Sequence, residues 1–173
     1  MSATGAAGRM VEQEIGMIVI KNLLVATDFS DVSKVALTYG RALARTFGAA
    51  LHVVNVVEIL FTVTGLEGYI TNAAGLSEDL EQAARRQLEA AITNEDRRSL
   101  QVKAVLLRSD KPAIAVVRYA KDAGIDLIVI GTDGHGRMAH LLTGSVAEHI
   151  VRLAPCPVMT VRHPEHEFVL LDA

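Results

Sequence analysis

What most constrains this chain is an alternation. Short runs of branched apolar residues take turns with longer segments whose apolar residues recur every three or four positions. The first pattern reads as buried strands and the second as amphipathic helices. The strand runs are Ile18–Ala26, Leu51–Val57, Val102–Leu107, Ile125–Ile130 and Val158–Val161. Between the first two, Val32, Val35, Ala36, Tyr39, Leu43, Ala44 and Phe47 share a helical face, and Gly48 ends the pattern. A second helix starts at Ser77, with Glu78 and Asp79 opposing the dipole of its first turn. It turns Leu80, Ala83, Ala84, Leu88, Ala91 and Ile92 inward and leaves Arg85, Arg86, Arg97 and Arg98 in solvent. A third opens at Asp110-Lys111-Pro112, with Ile114, Val117 and Ala120 inward and Gly124 at its end. A fourth runs from about Ser145 to Leu153 and stops before Pro155 and Pro157.

Strands alternating with helices imply right-handed crossovers and a parallel sheet. The fold class is therefore α/β: one doubly wound sheet with helices on both faces. Half of the residues are hydrophobic but only 4% are aromatic, which suits a core of Val, Ile, Leu and Ala. At 173 residues the chain is the size of one domain. That domain is expected over 17–163, after a mobile Ala/Gly-rich leader (1–16) and before a tail (164–173). Residues 58–76 mix Phe61, Leu66, Tyr69 and Ile70 with Gly65, Gly68 and Gly75. A lid over a site, a short irregular helix and a packed connection all remain open for them.

Several function classes are excluded early. A net charge of −3 with no basic stripe argues against nucleic acid as a partner. No stretch reaches the ~18 apolar residues that span a bilayer, so no membrane role is expected. The leader lacks the basic start and apolar run of a signal peptide. A single cysteine, Cys156, excludes an intrachain disulfide and fits a reducing compartment, hence a cytoplasmic location.

Ligands of doubly wound sheets sit beyond the carboxyl ends of the strands, where strand order reverses. Two loops there carry unusual chemistry: Ala26–Ser30 and Gly131–Ser145. In Thr27-Asp28-Phe29-Ser30-Asp31 the residue types suit a turn and a helix N-cap, and Asp28 is one candidate for that cap. The second loop is rich in glycines that can bare backbone N–H groups. Such groups converging on a helix N-terminus make an anion site. The Ser145 hydroxyl and the N–H groups of Ser145 and Val146 are placed to reach one phosphate. The plainer alternative is that the glycines only make turns.

The spacing Gly-x2-Gly-x9-Gly-Ser, filled by Gly131, Gly134, Gly144 and Ser145, resembles the nucleotide-binding signature of universal stress proteins. Leu24-Val25-Ala26-Thr27-Asp28-Phe29-Ser30, Leu51-His52-Val53-Val54, Asp126–Gly131, Gly144–Glu148 and Ala154–Val158 resemble further segments of that family, in order along residues 18–163. The resemblance implies an adenine nucleotide alpha hydrolase-like fold of five strands in the order 3-2-1-4-5. It also implies bound ATP, with Mg²⁺ on its phosphates, and a homodimer paired along the edge strand Val158–Val161. By the same resemblance, Asp28 and Val53 flank adenine and ribose, with Ala26 and Thr27 close by. Ile130 and Gly131 line the ribose, and Gly134, His135, Gly144, Ser145 and Val146 hold the phosphates. The implied function is a dimeric, stress-linked nucleotide-binding module acting on an unknown protein partner. The alternatives are a dimeric scaffold without nucleotide, or a slow ATPase or self-phosphorylating enzyme.

Three positions depart from the family pattern. Asp133 stands inside the loop, where it would repel phosphates unless it faced solvent. His135 stands where Arg or Lys is frequent, so phosphate affinity is expected to fall as pH rises through its pKa. Gly136-Arg137 places its glycine one position earlier than many relatives do.

Rival sites are weaker. There is no Gly-x4-Gly-Lys-Ser/Thr and no Gly-x-Ser-x-Gly. Glu148 and His149 follow Ser145 closely but read as surface helix residues. His163, His166 and Cys156 match no standard zinc spacing. Cys156, between two prolines, reads as a small packed residue rather than a nucleophile.

Overall fold

The computed structural model describes residues 17–59, 73–133 and 146–163. The leader 1–16, the tail 164–173 and most of the 58–76 segment lie outside the described residues. Five parallel strands form one sheet in the order β3-β2-β1-β4-β5. This is the strand order that the family resemblance implies.

The chain enters β1 (Asn22–Ala26) later than its apolar run suggested, because Met17, Ile18 and Val19 are exposed. Pairing with β2 begins at Asn22, where the Asp126 carboxylate accepts the N–H groups of Lys21 (2.8 Å) and Asn22 (2.9 Å). α1 (Asp31–Phe47) follows and ends at Gly48, whose φ of +64° is the left-handed cap that glycine supplies. β2 (Ala50–Glu58) is one residue longer at each end than expected. α2 (Ala73–Ala91) begins before Ser77, and Leu80 on it is exposed rather than turned inward. Its burial rests on Leu88, with Ile92 just past its end. Arg97 and Arg98, exposed as expected, belong to a separate short helix, α3 (Asn94–Ser99). A capping box between Thr93 and Asp96 starts that helix.

β3 (Val102–Ser109) leads to α4 (Pro112–Asp122). Pro112 sits in the first turn, where its missing N–H costs nothing. The inward face of α4 is Ala113, Val116 and Ala120, with Ile114 exposed and Val117 only partly buried. The small side chains at 113 and 120 let the helix approach the sheet, which decides its phase over the larger Ile114. β4 (Leu127–Asp133) starts later and runs further than the apolar run indicated. Gly131, Thr132 and Asp133 are still paired with β5, so the loop begins after Asp133 rather than at Gly131. α5 (Val146–Leu153) and β5 (Val158–His163) complete the order, with His163 inside the last strand.

Strand alternation sends successive side chains to opposite faces. Leu23, Val25, Leu51 and Val53 pack beneath α1 and α2. Leu24, Val54, Ile128 and Ile130 pack beneath α4 and α5.

Candidate functional site

Strand order reverses between β1 and β4, which run side by side while their following helices take opposite faces. A parallel sheet must part there, and a cleft of about 620 Å³ opens at the carboxyl ends of β1, β2 and β4. Ala26, Thr27 and Asp28 from β1 and its loop, Ile130 and Gly131 from β4, and Val146 from α5 all line it. The fold thus brings six of the sequence-derived candidates together from three distant segments. Val53 is not among the lining residues. Its side chain is fully buried on the opposite face, under α1, while its neighbour Val54 lines the cleft. Gly134, His135, Gly144 and Ser145 lie outside the described residues, as does the side chain of Asp133.

The β1–α1 loop is held by a dense set of hydrogen bonds. At Thr27 β1 leaves its ladder: the Thr27 N–H still donates to Val54 O (2.9 Å), and the Asn55 side-chain amide donates to Thr27 O (2.8 Å). Thr27 Oγ1 lies 3.0 Å from Ser33 Oγ and accepts the Phe29 N–H (3.0 Å). Phe29 adopts a φ of +66°, a conformation that side-chain-bearing residues rarely take and that costs ~1–3 kcal/mol. The turn sends Phe29 toward the core under α1 while Asp28 and Ser30 stay on the cleft side.

The cap of α1 is Ser30, not Asp28: Ser30 Oγ accepts the Ser33 N–H at 3.3 Å. Asp28 instead organises the cap, its Oδ1 accepting the Ser30 hydroxyl (2.6 Å) and N–H (3.0 Å). Burial alone would raise the Asp28 pKa. The hydrogen bonds from Ser30 and Ser33 outweigh it and hold the carboxyl below its ordinary value. Asp28 therefore faces the cleft as an anion that accepts hydrogen bonds.

Gly131 has a different reason to be glycine. A Cβ placed there would lie 2.8 Å from Val32 Cγ1 and 2.9 Å from the Val32 carbonyl carbon and oxygen. Its bare backbone lets β4 pass against the first turn of α1.

Sequence reasoning missed the cleft residues Val54, Asn55, Val56, Glu58, Val116 and Thr132. One signal was present: Asn55 is the lone amide in an apolar strand run, and a buried polar side chain needs a partner. Elsewhere, Glu148 and His149 are exposed on α5. Burial and the Asp126 carboxylate push the Cys156 thiol above its ordinary pKa, as fits a packed residue. No cluster of potential metal ligands occurs among the described residues. Nor is any described helix long and apolar enough to cross a membrane.

A doubly wound parallel sheet with a polar-lipped cleft at its switch point defines the class: an α/β protein whose cleft lies at the strand ends, where such folds commonly hold ligands. The model of the universal stress protein family matches residues 20–162, and the chain belongs to that family. It is 37% identical over 143 residues to a universal stress protein of Thermus aquaticus, covering 82% of this chain and 98% of that one. A solved universal stress protein family member from Burkholderia pseudomallei is 28% identical, with a TM-score of 0.64 over 82% of this chain and 95% of that one. A universal stress protein from Archaeoglobus fulgidus, solved in complex with dAMP, shares the fold at 21% identity. Its TM-score is 0.55, over 83% of this chain and 99% of that one.

Proposed function

We propose that the cleft binds an adenine nucleotide, ATP with Mg²⁺ on its phosphates, and that the protein works as a dimeric regulatory module. The observation that carries this reading is the cleft itself. It gathers Asp28, Ile130, Gly131 and Val146 at one switch point, where the dAMP-bound relative has the same fold. The charges suggest an orientation. Asp28 and Glu58 line the β1 and β2 side and disfavour phosphates there. The N-terminus of α5 at Val146 favours them on the other side. Base and ribose then lie against Val54, Val56 and Val116, with Asp28 accepting a donor from the sugar or base.

In this reading Gly134, His135, Gly144 and Ser145 complete the phosphate cradle. The edge strand β5 pairs two copies along Val158–Val161, since among the described residues its outer side is a row of backbone groups with no strand beside it in the sheet. The test is to release and identify bound nucleotide by mass spectrometry, then titrate ATP into emptied protein and into Gly144→Asp. Micromolar binding weakened at least ~10-fold by the added carboxylate is expected. Absence of nucleotide together with absence of binding would overturn the reading and favour a dimeric scaffold.

A further inference from the structure

One polar pair, a buried histidine with a partly buried tyrosine, lies next to the cleft and is used by nothing described so far. His52 on β2 is 1% exposed, yet it carries two hydrogen-bonding nitrogens. Nδ1 lies 2.8 Å from the Tyr119 hydroxyl on α4. Nε2 is fully buried and has no hydrogen-bond partner among the described residues. The two rings sit 5.8 Å apart at a tilt of 58°. The pair joins the two walls that close the β2 side of the cleft: Val54 and Val56 follow His52 on the same face of β2, and Val116 stands one helical turn before Tyr119 on α4.

We infer that the His52–Tyr119 pair is a proton-sensitive strut, holding β2 against α4 and loosening the ligand cleft when acid protonates His52. A neutral imidazole needs one donor and one acceptor role, and the Tyr119 hydroxyl satisfies Nδ1 in either tautomer. A protonated ring carries two N–H donors and a charge. Its Nε2–H would then sit unpaired in an apolar cluster, which is costly. The groups facing the ring do not relieve this. α4 presents the neutral Tyr119, β1 presents Leu24 as register partner, and β3 presents the Lys103 ammonium as the other register partner. Burial, reinforced by Lys103, holds the imidazole below its ordinary pKa of 6.5. An open cleft, where the ring meets water, takes up the proton more readily than the closed one. Closure is therefore fully supported above the ordinary value and loses support as pH falls from there toward the depressed one. By reciprocity, a ligand that requires the closed cleft and the proton on His52 oppose each other.

This inference rests on the nucleotide reading, and its test separates the two. ATP affinity is measured from pH 8 to pH 5 for the full chain, for His52→Gln and for Lys103→Gln. Phosphate protonation and His135 act equally in all three, so the differences report His52. Between pH 7 and 5 the wild type should lose about tenfold more affinity than His52→Gln, one proton being linked to opening. Lys103→Gln alters an exposed side chain and removes the opposing charge, so its loss should be smaller and level off at higher pH than in the wild type. A parallel profile in all three proteins overturns the strut. If no protein binds ATP even at pH 8, the nucleotide reading fails, and thermal unfolding without ligand decides the strut. A steeper fall in Tm for wild type than for His52→Gln below pH 6.5 supports it, and equal slopes overturn it. Should His52→Gln not fold, the shift in Lys103→Gln carries the same decision.

Discussion

The two faces of the sheet share five strands but are closed in different ways. Under α1 and α2 the strand side chains are apolar, and the buried charge on that side is paired between helices, where Arg41 of α1 meets Asp96 of α3. Under α4 and α5 the packing admits a buried strand histidine, hydrogen-bonded to Tyr119, and at the carboxyl end it gives way to the cleft. Adjacent residues of β2 belong to these two worlds: Val53 faces α1, while His52 and Val54 face α4. One face is closed by apolar packing and the other opens into the cleft proposed to hold nucleotide. Substitutions on the first should change unfolding free energy with little effect on binding, and substitutions at the seam should change both.

Arg41→Ala tests the first face and carries the largest expected effect. Arg41 Nε donates to Asp96 Oδ2 (2.8 Å) and Nη2 to Ala91 O (2.5 Å). Its removal leaves a carboxylate that is 2% exposed with the Thr93 N–H at 3.0 Å and, as its nearest remaining cation among the described residues, the more distant Arg45 at 3.6 Å. Breaking such a pair costs ~3 kcal/mol, read by denaturant unfolding. Burial works against ionising Asp96, but hydrogen bonds from Thr93 and Arg41 and the Arg41 charge hold its pKa below the ordinary value. That contribution to stability is present above the ordinary Asp range and is lost as pH falls through the depressed value. In Arg41→Ala that acid-dependent loss should be smaller and be complete at higher pH. An equally large fall in ATP affinity would show that the faces are not independent.

How far the sequence discloses this design depends on the range of each interaction. The alternation of strands with α1, α2, α4 and α5, the helix ends at Gly48 and Gly124, and Pro112 at a helix start were all legible, because each is a local preference of the backbone, whereas the break that separates α3 from α2 was not. The phase of α4 was not, because tight approach to the sheet favoured Ala113 and Val116 over the more hydrophobic Ile114. Nor was the start of β1, where an apolar run extends beyond the point at which strand partners exist. At the candidate site, Asp28 and Gly131 stood out by type, but their local tasks did not. Asp28 serves Ser30, and Gly131 makes room for Val32. Pairs such as Asn55 with Thr27, Arg41 with Asp96 and His52 with Tyr119 join residues far apart in the chain, and no periodicity announces them.

Gly131→Ala probes the seam. The added methyl meets the backbone of Val32, which cannot rotate aside, so the first turn of α1 must move. Overpacking of this kind costs about 1–3 kcal/mol. Because that turn carries Ser33 and follows Ser30 and Asp28, ATP affinity should fall by more than the same stability loss produces on the α1 face. Comparison with Gly40→Ala, whose Cβ would lie 2.3 Å from Val25 Cγ2 in the core, makes the distinction. Equal effects of the two alanines on binding would dissolve the seam as a separate region.

Ser30→Ala has the smallest expected effect and is the most discriminating. Loss of the N-cap oxygen should cost about 1 kcal/mol. The same change removes the hydroxyl that donates to Asp28 Oδ1, so the Asp28 pKa should rise toward its ordinary value. A depressed carboxyl contributes stability that is present above its unfolded value and is lost as pH falls through its folded one. The acid limb of the unfolding curve should therefore move to higher pH in Ser30→Ala and stay in place in Ser30→Asn, if the amide restores both the cap and a donor to Asp28. ATP affinity at neutral pH should change little in either variant, since Asp28 remains ionised there. If affinity falls in Ser30→Ala while the acid limb stays in place, Ser30 itself contacts the ligand, and Asp28 is held by the rest of the loop.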